Sequence, residues 1–462
     1  MWRPALVVAG VLEGVSGVWL RGTLRDFNCG PRVLGKLITQ EKSRSNGRKA
    51  FDSNDCAGFN GFSLAEALLA PRTAQNLSSL QADSRDAEKK PVSRDSYVGD
   101  DTCRSCHREI AEAYFQTAHH LTSRQATADS IAGPFGAGAN VLKTSNPGLR
   151  FRMEAKGGRF YQTAIFGVPP STTAQTEPIN LVIGSGRKGQ TYLYWKGDRL
   201  FQLPVSYWID VGQWVNSPGY DDGDANFNRP VMSRCLECHG SYAESLGRPQ
   251  AINRYEKTSL VLGISCERCH GPGLEHVSRH HSGTAHFQGE AIVNPAKIPR
   301  DRDVEVCAQC HAGMRFPIAA AFSYVPGERL DEYLDPDRSD PNSKVDVHGG
   351  QVALLQRSRC YQSSATLTCS TCHNVHEAQR DAAAFSGRCL TCHKMENCGM
   401  FPKIGPKIAT GCIDCHMPVQ ESNAIVTASN GKRIKARVRS HWIKVYPDTG
   451  MSRLQESGAG EE

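Results

Sequence analysis

Fourteen of the chain's 18 cysteines fall into seven Cys-x-x-Cys pairs, each followed at once by histidine. They are Cys103/Cys106/His107, Cys235/Cys238/His239, Cys266/Cys269/His270, Cys307/Cys310/His311, Cys369/Cys372/His373, Cys389/Cys392/His393 and Cys412/Cys415/His416. Two thiols separated by two residues can form thioethers to both vinyl groups of one porphyrin, and the adjacent histidine reaches the iron as proximal ligand. Cys-x-x-Cys-His is the attachment signature of c-type haem. An even cysteine count would otherwise suggest disulfides, and Cys-x-x-Cys alone would suit tetrahedral zinc. Neither needs histidine directly after the second cysteine. Histidine is only 16 of 462 residues, so the repeated placement points to seven covalently bound c-type haems.

The motifs use seven histidines and leave His119, His120, His276, His280, His281, His286, His348, His376 and His441. A low-spin electron-transfer haem needs a second axial ligand, commonly histidine or methionine. His376 follows His373 by three residues and lies on the proximal side of that haem, so as a ligand it would serve a neighbouring one. His276, close behind His270, invites the same argument. His119 follows His107 by 12 residues, about 18 Å along a helix, which again suggests a second cofactor. These three, with His348 and His441, are the candidate distal ligands. His120, His280, His281 and His286 read as ordinary surface or core residues, with room for one ligand among them. Met314, Met395, Met400 and Met417 read as packing residues.

The rest of the chain must position these groups. Apolar residues make up 39% and the aliphatic ones are sparse, so much of the core is expected to come from the haems. The formal charge of +7 invites a nucleic-acid reading. Each oxidised bis-ligated haem carries about −1 once its propionates are counted, which brings the holoprotein near neutrality and removes that argument.

Five segments are expected. Residues 1–96 read as a signal- or anchor-like segment followed by a flexible linker: Arg3 precedes an apolar run from Ala5 to Leu12, long enough for a signal-peptide core and short of a membrane span. Cys29 and Cys56 lie in this stretch without a haem partner. Residues 97–148 hold the first motif, and Ile110, Ala111, Tyr114, Phe115 and Ala118 predict a helix from Arg108 to His120. In 149–230, aromatic and β-branched runs such as RFYQTAIFG and QTYLYW alternate with Gly-rich turns and predict a small antiparallel insert. Residues 231–420 hold the other six motifs, and 421–462 form a basic segment and tail. There Arg433, Lys435, Arg437 and Arg439 alternate with Ile434, Ala436 and Val438, a strand pattern whose basic face could neutralise propionates.

Gly184-Ser-Gly-Arg-Lys-Gly189 matches a dinucleotide fingerprint, but such a loop must open a helix. Gln190 to Trp195 reads as a strand, so a hairpin turn and no NAD or FAD are expected. Cys360 and Cys398 are left over, and an oxidising compartment would allow a disulfide between them.

The chain resembles the multihaem cytochromes related to the nitrifiers' tetrahaem cytochrome c and, more distantly, hydroxylamine oxidoreductase. The resemblance covers about residues 97–445. It rests on Tyr97-Val98-Gly99 before Cys103, and on Tyr114-x-x-Thr117-x-His119 where that family has Trp-x-x-Ser-x-His. It rests also on Cys266-Glu-Arg-Cys269-His270-Gly-Pro-Gly-x-x-His276, Cys369-Ser-Thr-Cys372-His373-x-x-His376 and Cys412-Ile-Asp-Cys415-His416-Met417-Pro418. It implies bis-histidine haems stacked in pairs and supports His119, His276 and His376 as ligands.

The expected fold is therefore a multihaem cytochrome c, mainly α-helix and loop around stacked haems, with a small antiparallel β-rich insert. The expected function is exported, extracytoplasmic electron transfer between redox partners, such as a quinol-oxidising membrane complex or other cytochromes. Membrane association would run through the N-terminus. The competing reading is a reductase or oxidase of a small nitrogen or sulfur compound at one open haem. The family's nitrite reductases mark their catalytic haem with Cys-x-x-Cys-Lys, and all seven motifs here end in histidine. A third reading makes the aromatics Tyr192, Tyr194, Trp195, Tyr207, Trp208 and Trp214 a docking surface.

Overall fold

The strand-forming runs meet in two antiparallel sheets. One has four strands in sequence order, Val141–Lys143, Leu149–Lys156, Arg159–Phe166 and Thr173–Ile179. The other has seven and is centred on Gly189–Lys196, which pairs with Leu181–Ile183, Arg199–Gln202 and Val205–Trp208. Along Leu149–Lys156 every second residue turns inward, so Leu149, Phe151 and Met153 are buried between Arg150 and Arg152. Residues of both sheets share one apolar cluster that includes Phe151, Met153, Tyr192, Tyr194, Val205 and Trp214. The computed structural model from which these elements are taken describes residues 92–247, 252–335 and 345–447. The expectations for the N-terminal apolar run, Cys29, Cys56 and the tail beyond residue 447 lie outside the described residues.

The Gly184–Gly189 segment is a hairpin turn. It joins Leu181–Ile183 to Gly189–Lys196 with Ile183 opposite Thr191, and a strand, not a helix, follows it. The sheets also reach outside 149–230: Ser123–Gln125 pairs with Leu181–Ile183, and Val141–Lys143 edges the smaller sheet. Strands Val419–Ser429 and Lys432–Arg439 form a hairpin whose Ala436 packs on Trp208 and Val215. Thr427 hydrogen-bonds the Asn216 carbonyl, and the Gly431 N–H donates to Asp222 at 2.6 Å. The alternation at 434–438 thus finds its apolar partner on the insert, which joins the C-terminal segment to that region.

The expectation of a mainly helical chain needs correction. The longest helix among the described residues, Arg300–His311, has 12 residues, most are one or two turns, and antiparallel strands are as prominent as helices. A haem attached through its own short motif needs only enough helix to present two thiols and a histidine. The helix after the first motif is shorter than its periodicity suggested, spanning Arg108–Tyr114. It buries Ala111 and Tyr114 and leaves Ile110 52% exposed, and the chain then turns to deliver His119 to a different motif. No helix among the described residues is long and apolar enough to cross a membrane.

Outside the insert the apolar clusters are smaller. One joins Leu181, Leu193 and Leu200 of the large sheet to Leu236, Tyr242, Tyr255 and Phe322. Another surrounds the Arg300–His311 helix through Val304, Ala308, Tyr324, Leu330 and Tyr333.

Candidate functional site

Each motif rides on a short element. The cysteines of the first lie on Asp100–Cys106, the second motif on Ser233–His239 and the third on Glu267–His270. The fourth ends Arg300–His311, the fifth begins with the tight turn Cys369–Thr371, the sixth closes Ala382–Cys389, and the seventh occupies Cys412–His416. Every motif cysteine in this structure is a free thiol. Cys360 and Cys398 are free as well and are not bonded to each other.

Four motif histidines face a histidine from another segment. The His107 and His276 ring centres are 6.4 Å apart with planes at 19°. His270 and His376 stand 6.0 Å apart at 15°, and His373 and His441 6.2 Å apart at 27°. His119 and His311 are 6.1 Å apart and nearly perpendicular, at 88°. With metal–imidazole bonds of about 2 Å and ring centres about 1 Å behind their nitrogens, two imidazoles trans across one iron have centres about 6 Å apart. The residues present therefore fit bis-histidine haem. His348 neighbours both His239 and His311. Of the remaining histidines, His280 packs on His276 at 4.5 Å, and His120 packs on Phe115 at 4.6 Å with Asp100 3.5 Å from its Nδ1. His393 and His416, among the described residues, have no histidine ring opposite them at the 6 Å spacing.

A ligating imidazole must offer a bare nitrogen and hold its other N–H on a fixed acceptor. Backbone carbonyls fill that role here: His270 Nδ1 lies 2.7 Å from the Val293 oxygen, His276 Nδ1 2.8 Å from Glu290, and His416 Nδ1 2.9 Å from Lys444. His239 Nδ1 meets the Thr122 hydroxyl at 3.1 Å. Burial, reinforced by His311, lowers the pKa of His119 to about 4. Burial and then His348 lower His239 to about 4, and burial and then His373 lower His441 to about 4. These three rings are neutral at ordinary pH, the state that binds a metal. His119, His311 and His373 are desolvated by surrounding protein yet have exposed rings, so they line internal gaps and are not packed into solid core.

His119 is delivered to His311 by the loop before the third motif. The Ile264 N–H donates to the His119 carbonyl at 3.0 Å, and the Tyr114 hydroxyl donates to the Ile264 carbonyl at 2.7 Å. Gly263, at φ 71°, allows this approach; a Cβ there would collide with the His120 carbonyl. Arg439 does not present its charge to a free space. Its guanidinium donates to the Ile413 and Met417 carbonyls at 2.8 and 2.9 Å and pairs with Asp414 at 2.9 Å, which clamps the seventh motif.

Sequence reasoning overlooked a set of buried polar groups. The Glu267 carboxylate accepts from the backbone N–H groups of Val98 and Gly99 at 2.9 Å and of Gly273 at 2.8 Å. Arg234, Glu237, Arg268 and Gln309 are all buried where three motifs meet. Around them is a cavity of about 10 Å³, room for one water. Glu237 Oε2, Arg268 Nε, Gln309 Oε1 and the Tyr324 hydroxyl have no hydrogen-bond partner. The available signal was charge inside the motifs themselves, since Glu237, Glu267 and Arg268 occupy the x positions of Cys-x-x-Cys.

Residues 221–271, spanning the second and third motifs, match the family described as cytochrome c554 and c-prime. The chain is 24% identical over 171 residues to the C-type polyheme cytochrome OmcC of Geobacter sulfurreducens, 32% of this chain and 20% of that protein. It is 23% identical over 224 residues to the multiheme cytochrome MtrA of Shewanella baltica, 43% of this chain and 60% of that one. It thus spans about a fifth of the first relative's length. Among solved structures, the outer cell wall cytochrome OcwA aligns with a TM-score of 0.49 at 20% identity, covering 77% of this chain and 81% of that one. The repeated motif and these similarities make the chain a multihaem c-type cytochrome carrying c-type haem cofactors.

Proposed function

We propose that this chain is an exported heptahaem cytochrome that transfers electrons between redox partners outside the cytoplasm. The observation that carries the reading is the set of four histidine pairs at 6.0–6.4 Å, each joining a motif histidine to one from a distant segment. A c-type haem held by such a pair supplies reversible one-electron exchange at a six-coordinate iron, with a potential tuned by ligation, burial and nearby charge. The chain's part is to hold each ring neutral and oriented through its Nδ1 acceptor, and to bury the inner pairs from water. His107/His276, His119/His311, His270/His376 and His373/His441 are the proposed axial pairs, with His348 opposite His239. The proposed partners are a quinol-oxidising membrane complex and other cytochromes, at the periplasmic or outer face of the membrane. The family resemblance to nitrifier tetrahaem cytochromes supports stacked haems and the same three distal residues, His119, His276 and His376.

The test is electron paramagnetic resonance on oxidised, haem-quantified protein. In His276→Ala, one low-spin haem should become high-spin, while His281→Ala should leave the spectrum unchanged. An unaltered low-spin count in His276→Ala removes the pairing. A second reading is a reductase of a small nitrogen or sulfur compound, favoured by the lack of a facing histidine at His393 and His416 among the described residues. A high-spin signal of about one haem in the unmutated protein, perturbed by added nitrite, hydroxylamine or sulfite, would move the assignment there.

A further inference from the structure

The motifs do not sit in space in the order in which they occur along the chain. The first motif contacts the third: the Cys103 and Cys266 thiols hydrogen-bond each other, and the Cys266 N–H donates to Asp100 at 2.9 Å. The third contacts the fourth, where Gln309 Nε2 donates to the Arg268 carbonyl at 3.4 Å. The fourth contacts the fifth through hydrogen-bonded thiols of Cys307 and Cys369 and through Ser370, whose hydroxyl donates to Asp303 at 3.5 Å. The fifth contacts the sixth through Arg388, which donates to the Cys372 carbonyl. The sixth contacts the seventh through Ser386, whose hydroxyl donates to the Thr410 carbonyl at 3.0 Å and accepts from the Ile413 N–H at 3.4 Å.

The second motif is the exception. It abuts the third through Arg268 Nη2, which donates to the Glu237 carbonyl at 3.1 Å. Its thiol contact is with the fourth motif alone: Cys238 hydrogen-bonds the Cys310 thiol. Cys310 Sγ also reaches the Glu237 carbonyl at 3.8 Å, and Arg234 Nη2 donates to the Gln309 carbonyl at 2.7 Å. One helix therefore sends Cys310 to the second motif and Cys307 to the fifth.

We propose that the seven attachment motifs form a branched row, first–third–fourth–fifth–sixth–seventh, with the second branching from the fourth. The helix Arg300–His311 is the hub. Of the motif cysteines only Cys106 and Cys392 are exposed, which puts the outward-facing sites at the first motif and at the sixth, near the two ends of the row. Partners that exchange electrons with this protein are accordingly expected to dock at those two ends, and not over the second motif, whose Arg234, Leu236 and Glu237 are buried beneath the β-rich insert. This inference rests on the haem reading.

Iron positions in the intact holoprotein, from an electron-microscopy or crystal structure, test it directly. The fourth-site iron should have the second, third and fifth as its nearest neighbours, and the first-site iron should have the third nearest. A second-site iron nearest to the first site, as chain order would place it, overturns the branch. A solution test uses Cys235→Ser/Cys238→Ser, which should lose one haem mass. It should alter the paramagnetic signal assigned to the fourth site, identified by His311→Met, and leave the first-site signal unmoved. A shift of the first-site signal instead overturns the proposal. Haem stoichiometry by mass spectrometry keeps the two ideas separate: a count other than seven fails the haem reading, whereas seven haems in chain order fail only the branch.

Discussion

The β-rich insert and the motif-bearing region are two unlike solutions to the problem of making an interior. In the insert, Phe151, Met153, Tyr192, Leu203 and Val205 are almost wholly buried against one another across two sheets. In the motif-bearing region the cysteines are at best half-buried, and histidines such as His119 and His311 face one another across gaps. The apolar clusters there are small and sit at its margins. The insert is stabilised by burial of its own side chains, at roughly 25 cal/mol per Å². The motif region is arranged around something the polypeptide does not itself provide. The two regions should therefore differ in what they lose when the cofactor or the side chains are removed.

The largest expected effect is that of withholding haem. Full-length protein made without haem attachment should lose amide protection across residues 231–420 while retaining it along Leu149–Lys156 and Gly189–Lys196. Equal loss in both regions, read by hydrogen-exchange mass spectrometry, would break the comparison. Next is a cut into the insert: Phe151→Ala should cost about 3–5 kcal/mol, the range for a fully buried phenylalanine. It should lower the denaturation midpoint of the insert and leave the haem spectrum unchanged. A changed haem spectrum would show that the two regions are one cooperative unit. The smallest expected effect is at the seam between the first and third motifs. Glu267→Gln weakens charge-assisted acceptance from three backbone N–H groups and should cost about 1–3 kcal/mol. Exchange should speed up at Val98, Gly99 and Gly273, with the insert untouched.

Much of this was legible in the sequence because it is local. The strands of the insert follow from aromatic and β-branched runs between Gly-rich turns, and the Gly184–Gly189 hairpin from the strand-like residues after it. The alternation at 432–439 marks the C-terminal strand. The weak points were non-local. Arg108 to His120 has helical spacing, yet the helix stops at Tyr114 because the next residues are held by the loop at Gly263 and Ile264. The C-terminal strand's apolar face was visible, but its partner on Trp208 and Val215 was not. The basic face read as a propionate partner includes Arg439, which is spent on the seventh motif.

The sequence by itself determined where haem can be attached, because two thiols and a histidine within five consecutive residues contain the whole chemistry of attachment. Only the tertiary structure decided which histidine faces which motif and which motifs are neighbours. A trans ligand comes from the opposite face of the cofactor, so it is supplied by another segment: His119 for His311, and His441 for His373. Sequence distance carries no information about such a pairing. The fold supplies it by packing the Arg300–His311 helix against the second, third and fifth motifs at once.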